Sequence, residues 1–316
     1  MANNLIAEYW ISATQENLFQ NNQFWNFAQD HSEWADNGVV HVPNAGALAT
    51  YTENPTSYPL SVAPRTDNSL DYNINNYASQ VWTIQDSEKI FIRYDKVKSM
   101  VYSMTEGLKQ LLGNVTPYKW AAGVSGVASS IVFTSGSATA SCLPTYAGNV
   151  ATGTRNAPTL ADIAKVKEVL DIQFVSEEGR HFLFPSVMWN NGILGLSNII
   201  INQYYDMKTP VVPGGGTVPI FGFTTHIRPN VLYTDASGNL LTYNTSTGLP
   251  ATPAATDCAA AIAWHPEFVS KAIGVVDLYY QAKRPEYQGD LMSIRVHYGA
   301  SYLRSDLKGV VLLVMA

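Results

Sequence analysis

The chain has 316 residues, 46% of them hydrophobic, 11% aromatic and only 14% charged, with a net charge of −6. That is enough apolar material for one large core or two ordinary ones, which excludes disorder. The acidic balance excludes a phosphate grip built on clustered Lys and Arg, and no apolar run approaches the roughly 18 residues of a membrane-spanning helix.

Residues 1 to about 35 carry Tyr9, Trp10, Phe19, Phe24, Trp25, Phe27 and Trp34 among Asn and Gln, with acidic and no basic charges. So aromatic an arm needs covering. It either opens the chain's own core or lies along a neighbouring subunit, where aromatic anchors dominate binding energy; the residues alone leave the two even. From 38 to about 93, Pro43, Pro55, Pro59 and Pro64 precede alternating stretches such as Asp71-Tyr72-Asn73-Ile74 and Val81-Trp82-Thr83-Ile84. This reads as a long two-stranded excursion with few residues to fill a core of its own. Such a hairpin is marginal alone and calls for a partner surface, an extended enzyme lid being the competing reading.

Val97, Met100, Val101, Met104, Leu108, Leu111 and Leu112 then form one apolar face at helical spacing. Asp95 is its candidate cap and Gly113 its stop. Residues 121–156, rich in Gly, Ala, Ser and Thr, read as short strands and loops. A second helix begins at Thr159 with Asp162 placed as in a capping box, and Leu160, Ile163, Val166 and Leu170 on its apolar side. His181 to Phe184 reads as a strand ended by Pro185 and Ser186, which open a short helix carrying Met188 and Trp189. A glycine loop at 213–216 leads to a strand over 219–223, and 231–243 reads as a hairpin turned by 235–239. The Ala-rich stretch 259–272 reads as helix, with Pro266 at a boundary or kink. Met292, Ile294, Val296 and Tyr298 alternate with Ser293, Arg295 and His297 as a half-buried strand. Gly299 and Gly309 interrupt it before a last apolar strand over 310–315.

Catalytic signatures are weak. The six histidines show no i, i+4 pairing and no cysteine companions, so no zinc site and no other cofactor site is read. Gly123-Val124-Ser125-Gly126 fails as a nucleophile elbow at its last glycine. His265-Pro266-Glu267 is a triplet that chance supplies often, and Asp277, Glu286 and Asp290 do not show from sequence that they share a pocket. Cys142 and Cys258 read as small buried hydrophobes, a single bridge between them staying open. No Lys or Arg precedes Arg65, so a secretory leader is not expected on the chain as given.

The order of parts, from aromatic arm and Pro-punctuated hairpin through long helix and mixed region to long terminal strands, resembles a tailed-phage major capsid protein of the Hong Kong 97 fold. Local phrases carry the resemblance: 160–171 followed by Gly179-Arg180-His181-Phe182-Leu183-Phe184-Pro185-Ser186-Val187-Met188-Trp189; Ile220-Phe221-Gly222-Phe223 through Arg228-Pro229-Asn230; and Tyr287-Gln288-Gly289-Asp290, Tyr298-Gly299-Ala300 and 304–311. It implies an α+β fold with an N-arm over 1–37, an extended E-loop over 38–92 and the spine helix of a P-domain over 93–117. An A-domain would occupy mainly 118–278, and the P-domain strands 279–316. It further implies a structural protein, not an enzyme, that assembles as hexamers and pentamers of an icosahedral shell in the virion, formed in the host cytoplasm. A separate scaffolding protein, a portal protein and a decoration protein are its expected partners, with weak non-specific contacts to packaged double-stranded DNA. Inter-subunit contacts are expected from Trp10, Phe24, Trp25 and Trp34 of the arm and from Tyr58, Arg65, Tyr72 and Tyr77 of the hairpin. Some relatives join Lys to Asn covalently, and no residue here matches that site. A bacterial encapsulin shell is the same-fold alternative; a secreted β-rich carbohydrate-binding or hydrolytic protein is the alternative of a different class.

Overall fold

A computed structural model describes residues 22–33, 38–46, 48–56, 58–60, 62–86, 96–139, 145–146, 149–150, 153–193, 219–250 and 254–315. In chain order its strands are β1 (Gln29–Asp30), β2 (Val39–Asn44), β3 (Asn68–Asn73), β4 (Asn75–Ala78), β5 (Trp82–Gln85), β6 (Ile131–Phe133), β7 (Ala138–Thr139), β8 (Thr145–Tyr146), β9 (Asn149–Val150), β10 (Arg155–Asn156), β11 (His181–Pro185), β12 (Pro219–Ile220), β13 (Phe223–Arg228), β14 (Leu232–Thr234), β15 (Cys258–Trp264), β16 (Val269–Arg284), β17 (Gly289–Tyr302) and β18 (Val310–Val314). The long helices are α1 (Lys96–Ala121) and α2 (Leu160–Ile172).

One mixed sheet, ordered β12-β13-β11-β15-β18-β6 with β14 also on β15, separates two cores. The Ala-rich stretch expected as a helix supplies its central strand, β15. Cys258, Ala260, Ile262 and Trp264 face one core and Ala259, Ala261 and Ala263 the other, so the side chains obey a period of two. Both faces are buried, and a strand buried on both sides shows no polar alternation to betray it. Pro266 does stand at a boundary, in a single turn that leads into β16.

The core on one face packs Leu112, Tyr118 and Trp120 of α1 against Leu312 and Val314 of β18, with Val296 and Tyr298 of β17. The opposite core packs Ile163, Val166 and Leu170 of α2 against Phe182, Phe184, Val311 and Leu313. The expected cap of α2 is present in full. Thr159 accepts from the Asp162 amide, and the Asp162 carboxylate accepts from the Thr159 amide. That carboxylate also accepts from the amide and hydroxyl of Ser135, tying α2 to the segment after β6.

The long helix expected over 93–117 with a stop at Gly113 corresponds to α1, which runs on to Ala121; Asp95 lies outside the described residues. The helix passes through Gly113 because that glycine serves packing rather than termination. A Cβ there would fall 2.2 Å from Oδ1 of Asn22, whose amide nitrogen donates to the Lys109 carbonyl at 2.8 Å. Pro117 inside the helix has no N–H to return to the carbonyl four residues earlier, which is that of Gly113. Arg228 supplies the missing donor. Its Nη1 donates to the Gly113 carbonyl at 2.6 Å and its Nη2 to Asn114 Oδ1 at 3.0 Å.

The second sheet is ordered β1-β16-β17-β4, with β5 also on β17. Its centre is the long antiparallel ribbon β16–β17, which begins at Val269, ahead of the 279 expected for the terminal strands. Met292, Ile294, Val296 and Tyr298 are buried on one face as expected. Gly299 does not break the strand, since β17 continues to Tyr302. The strand expected over 219–223 is interrupted at Phe221 and Gly222, whose φ values of 49° and 84° make the two-residue turn between β12 and β13. Residues 213–216 lie outside the described residues. Cys258 is a buried free thiol, and Cys142 lies outside the described residues. Among the described residues no helix is long and apolar enough to cross a membrane.

Candidate inter-subunit surface

The hairpin predicted near the start of the chain exists, with β2 and β3 paired antiparallel from Val39 opposite Asn73 to Asn44 opposite Asn68. The second alternating stretch is not its partner: β4 and β5 leave the hairpin and pair with β17. The hairpin's base is anchored by Val40 and Tyr72, packed on Ala272 of β16. Beyond that base, the described residues of the 45–67 connection leave their apolar side chains uncovered. Leu48, Tyr51 and Val62 are each at least 90% exposed, with Tyr58 and Leu60 also exposed. Scattered exposed apolar residues are ordinary, whereas five on one segment mark a candidate contact surface. Where the segment leaves the paired strands, Asp67 takes a charged bond from Arg65 at 2.7 Å and the Gly46 amide at 2.8 Å. Those donors hold the Asp67 carboxyl below its ordinary range.

A second uncovered strip lies on the β16–β17 ribbon. Val276, Leu278 and Tyr280 stand opposite Val296, Ile294 and Met292, so all six share one face of the ribbon. Helix α1 covers the β17 half of that face with Met100 and Met104. On the β16 half, Val276, Leu278 and Tyr280 remain more than half exposed. The opposite face is fixed by Arg295, which bonds Asp277 at 2.6 Å and lies 5.3 Å from the centre of the Tyr279 ring.

The eight predicted contact residues divide sharply. Phe24 is 2% exposed inside its own chain, edge-on to Trp120 and Trp264 and beneath the Arg228 guanidinium at 5.2 Å. Tyr72 is likewise buried by its own chain, with its hydroxyl 3.2 Å from His31 Nδ1, and burial raises its pKa. These two therefore hold the arm and hairpin base to the body of their own chain. Trp25 and Tyr77 are partly buried against the same core, Tyr77 edge-on to Tyr298. Tyr58 and Arg65 are exposed on the hairpin connection, as an external contact requires. Trp10 and Trp34 lie outside the described residues. Leu48, Tyr51, Leu60 and Val62 and the β16 strip, exposed apolar candidates in the folded chain, were not singled out by the sequence reading. Alternation at 276, 278 and 280 signals a strand face, but which half of that face the helix covers is decided by tertiary packing.

An open recess of about 1020 Å³ lies beside β4, the start of β5 and the middle of α1, lined in part by Tyr77, Trp82, Met104, Leu108 and Leu111. No group of three or more His, Cys, Asp or Glu among the described residues is placed to hold a metal ion. The arrangement offers exposed apolar side chains on the hairpin and on β16, carried by a body with two main cores.

No protein-family model matches the chain, and no curated protein matches it. Solved structures do match along nearly its whole length. A chain of the capsid structure of the cyanophage P-SCSP1u is 14% identical, with a TM-score of 0.66 over 98% of this chain and 92% of that one. A chain of the cyanophage Pam1 capsid asymmetric unit is 11% identical, with a TM-score of 0.66 over 99% and 97%. A chain from Mycobacterium phage Che8 is 13% identical, with a TM-score of 0.64 over 99% and 98%. At these identities what is shared is the fold, and it is the α+β phage-capsid fold that the sequence resemblance implied.

Proposed function

We propose that the protein is the major capsid protein of a tailed double-stranded DNA phage, a coat subunit that assembles with copies of itself into hexamers and pentamers of an icosahedral shell. The observation that carries this reading is a hairpin whose connecting segment leaves Leu48, Tyr51, Tyr58, Leu60 and Val62 exposed, on a body with the full-length fold of phage-capsid chains. Residues up to about 37 act as the N-arm, 38–92 as the E-loop and α1 as the spine of the P-domain, which the β16–β17 ribbon completes; the mixed sheet belongs mainly to the A-domain. The subunit has a structural role, resides in the virion shell and forms it in the host cytoplasm with a separate scaffolding protein, a portal and a decoration protein. The acidic balance keeps contacts with packaged DNA weak and non-specific.

The test substitutes Tyr51→Ser and Val62→Ser on the hairpin. Both side chains are exposed in the single chain, so folding stability should change by less than about 0.5 kcal/mol, whereas particle yield should fall severely. Unchanged particle yield from the double variant would remove the hairpin from the assembly surface.

A further inference from the structure

We propose that residues 22–33 are an acid-releasable strap, held on the sheet by a stack of rings whose two histidines must stay neutral. The strap crosses the end of β11 and β13. Phe27 stacks on the His181 ring at 4.2 Å between centroids and lies 5.2 Å from the His226 ring. Beneath them, both imidazoles stack on Trp264, at 5.4 and 5.9 Å. Trp264 also donates its indole N–H to the Phe27 carbonyl at 2.8 Å, so the stack grips backbone as well as ring. Further along, β1 pairs in parallel with Ser270 and Lys271, and the His31 amide donates to the Lys271 carbonyl at 2.8 Å.

His181 Nδ1 and His226 Nε2 lie 3.2 Å apart, a distance that needs one nitrogen to donate and the other to accept. Protonating both rings makes both nitrogens donors and sets like charges in contact. Burial lowers His181 to about 4, with repulsion from His226 and His265 adding to it; burial lowers His226 to about 4. Other charged groups nearby are engaged elsewhere. Glu267 reaches His265 at 4.0 Å, Arg228 sits over Phe24, and Asp30 bonds Ser32 and feels Lys271 and His31. The aromatic faces of Phe27 and Trp264 would favour a cation, an attraction smaller than the cost of burying it. Lifting the strap wets both rings and returns them toward their ordinary value near 6.5. Between that value and about 4 the open state therefore binds more protons than the closed one, and closure weakens as pH falls. The limit is about tenfold per pH unit for each ring.

Hydrogen exchange on the full-length chain, corrected for intrinsic rates, would follow peptides spanning 23–33 and, as reference, the central strand 258–264 between pH 7.5 and 4.5. The strap peptides should lose at least about tenfold more protection than the reference strand, and His226→Gln, which keeps an acceptor without titrating, should flatten that loss by about half on a logarithmic scale. Imidazole titration by NMR gives a readout independent of any variant's folding, with midpoints well below 6.5 expected. Parallel loss in strap and reference strand, a slope unchanged in His226→Gln, or imidazole midpoints near 6.5 would each overturn the proposal.

Discussion

Replacing Arg228 by Met removes the donor that stands in for the amide hydrogen Pro117 lacks. The single substitution mixes opposed effects. It strips a charged donor from the Gly113 carbonyl and Asn114 Oδ1, bonds worth about 1.5–3 kcal/mol each when a charged group makes them. It also relieves the burial of a cation whose desolvation pulls its pKa down to about 9, still charged at neutral pH. A double-mutant cycle with Pro117→Ala separates the two. The alanine introduced by that second substitution restores a helical N–H to the Gly113 carbonyl, so in its background Arg228→Met no longer orphans that oxygen. The desolvation relief and the loss at Asn114 are the same in both backgrounds and cancel. Arg228→Met should therefore be about 2 kcal/mol less damaging, or more favourable, in Pro117→Ala than in the original chain, the cost of one buried carbonyl left unpaired. Urea unfolding of the unassembled chain at pH 7, with constant slope across the four proteins, measures it. A coupling below about 0.5 kcal/mol, the scatter expected of independent sites, would refute the substitution of guanidinium for amide.

Phe24→Ala should cost about 3–5 kcal/mol in the same urea assay, because the ring fills the interior of its own chain; a loss under about 1 kcal/mol would return Phe24 to the outer surface. Thr159→Ala should cost about 1 kcal/mol through the lost cap, read from the urea midpoint. Burial raises the Asp162 pKa, but bonds from Ser135 and Thr159 outweigh it and hold the carboxyl below its ordinary value. Its contribution is thus present above that ordinary value and lost as pH falls through the folded one, so Asp162→Asn should lower stability at pH 7 and flatten the acid limb of the pH profile. Gly222→Val should destabilise by about 1–3 kcal/mol, since φ of 84° is open to glycine and strained for a β-branched residue.

Local signals were legible wherever local physics decides the outcome. The capping pair Thr159 and Asp162, the apolar stripe of α1 and the alternation at 292–298 each need only neighbours in sequence, and each stands as read apart from Val97 of the stripe, which is exposed. The misreadings share a cause. Ala-rich β15 has the composition of a helix, and it is held as a strand by pairing with β11, β14 and β18 from distant parts of the chain. Gly113 resembles a stop until Asn22 and Arg228 arrive from outside the helix. Which of the candidate contact residues the chain covers itself was hidden for the same reason. An aromatic residue near the N-terminus wants cover, and sequence does not say whether the cover is Trp120 of the same chain, as for Phe24, or another subunit. Tyr51 and Val62 are marked as external only by their exposure once the rest of the chain has folded.

Light scattering coupled to size-exclusion chromatography on the purified full-length chain, with negative-stain microscopy of the high-mass fraction, tests the assembly reading most directly. Capsomer-sized rings or closed shells are expected, lost in the Tyr51→Ser, Val62→Ser double variant while its folding stability is kept. A chain that remains monomeric when supplied with its scaffolding partner would contradict it.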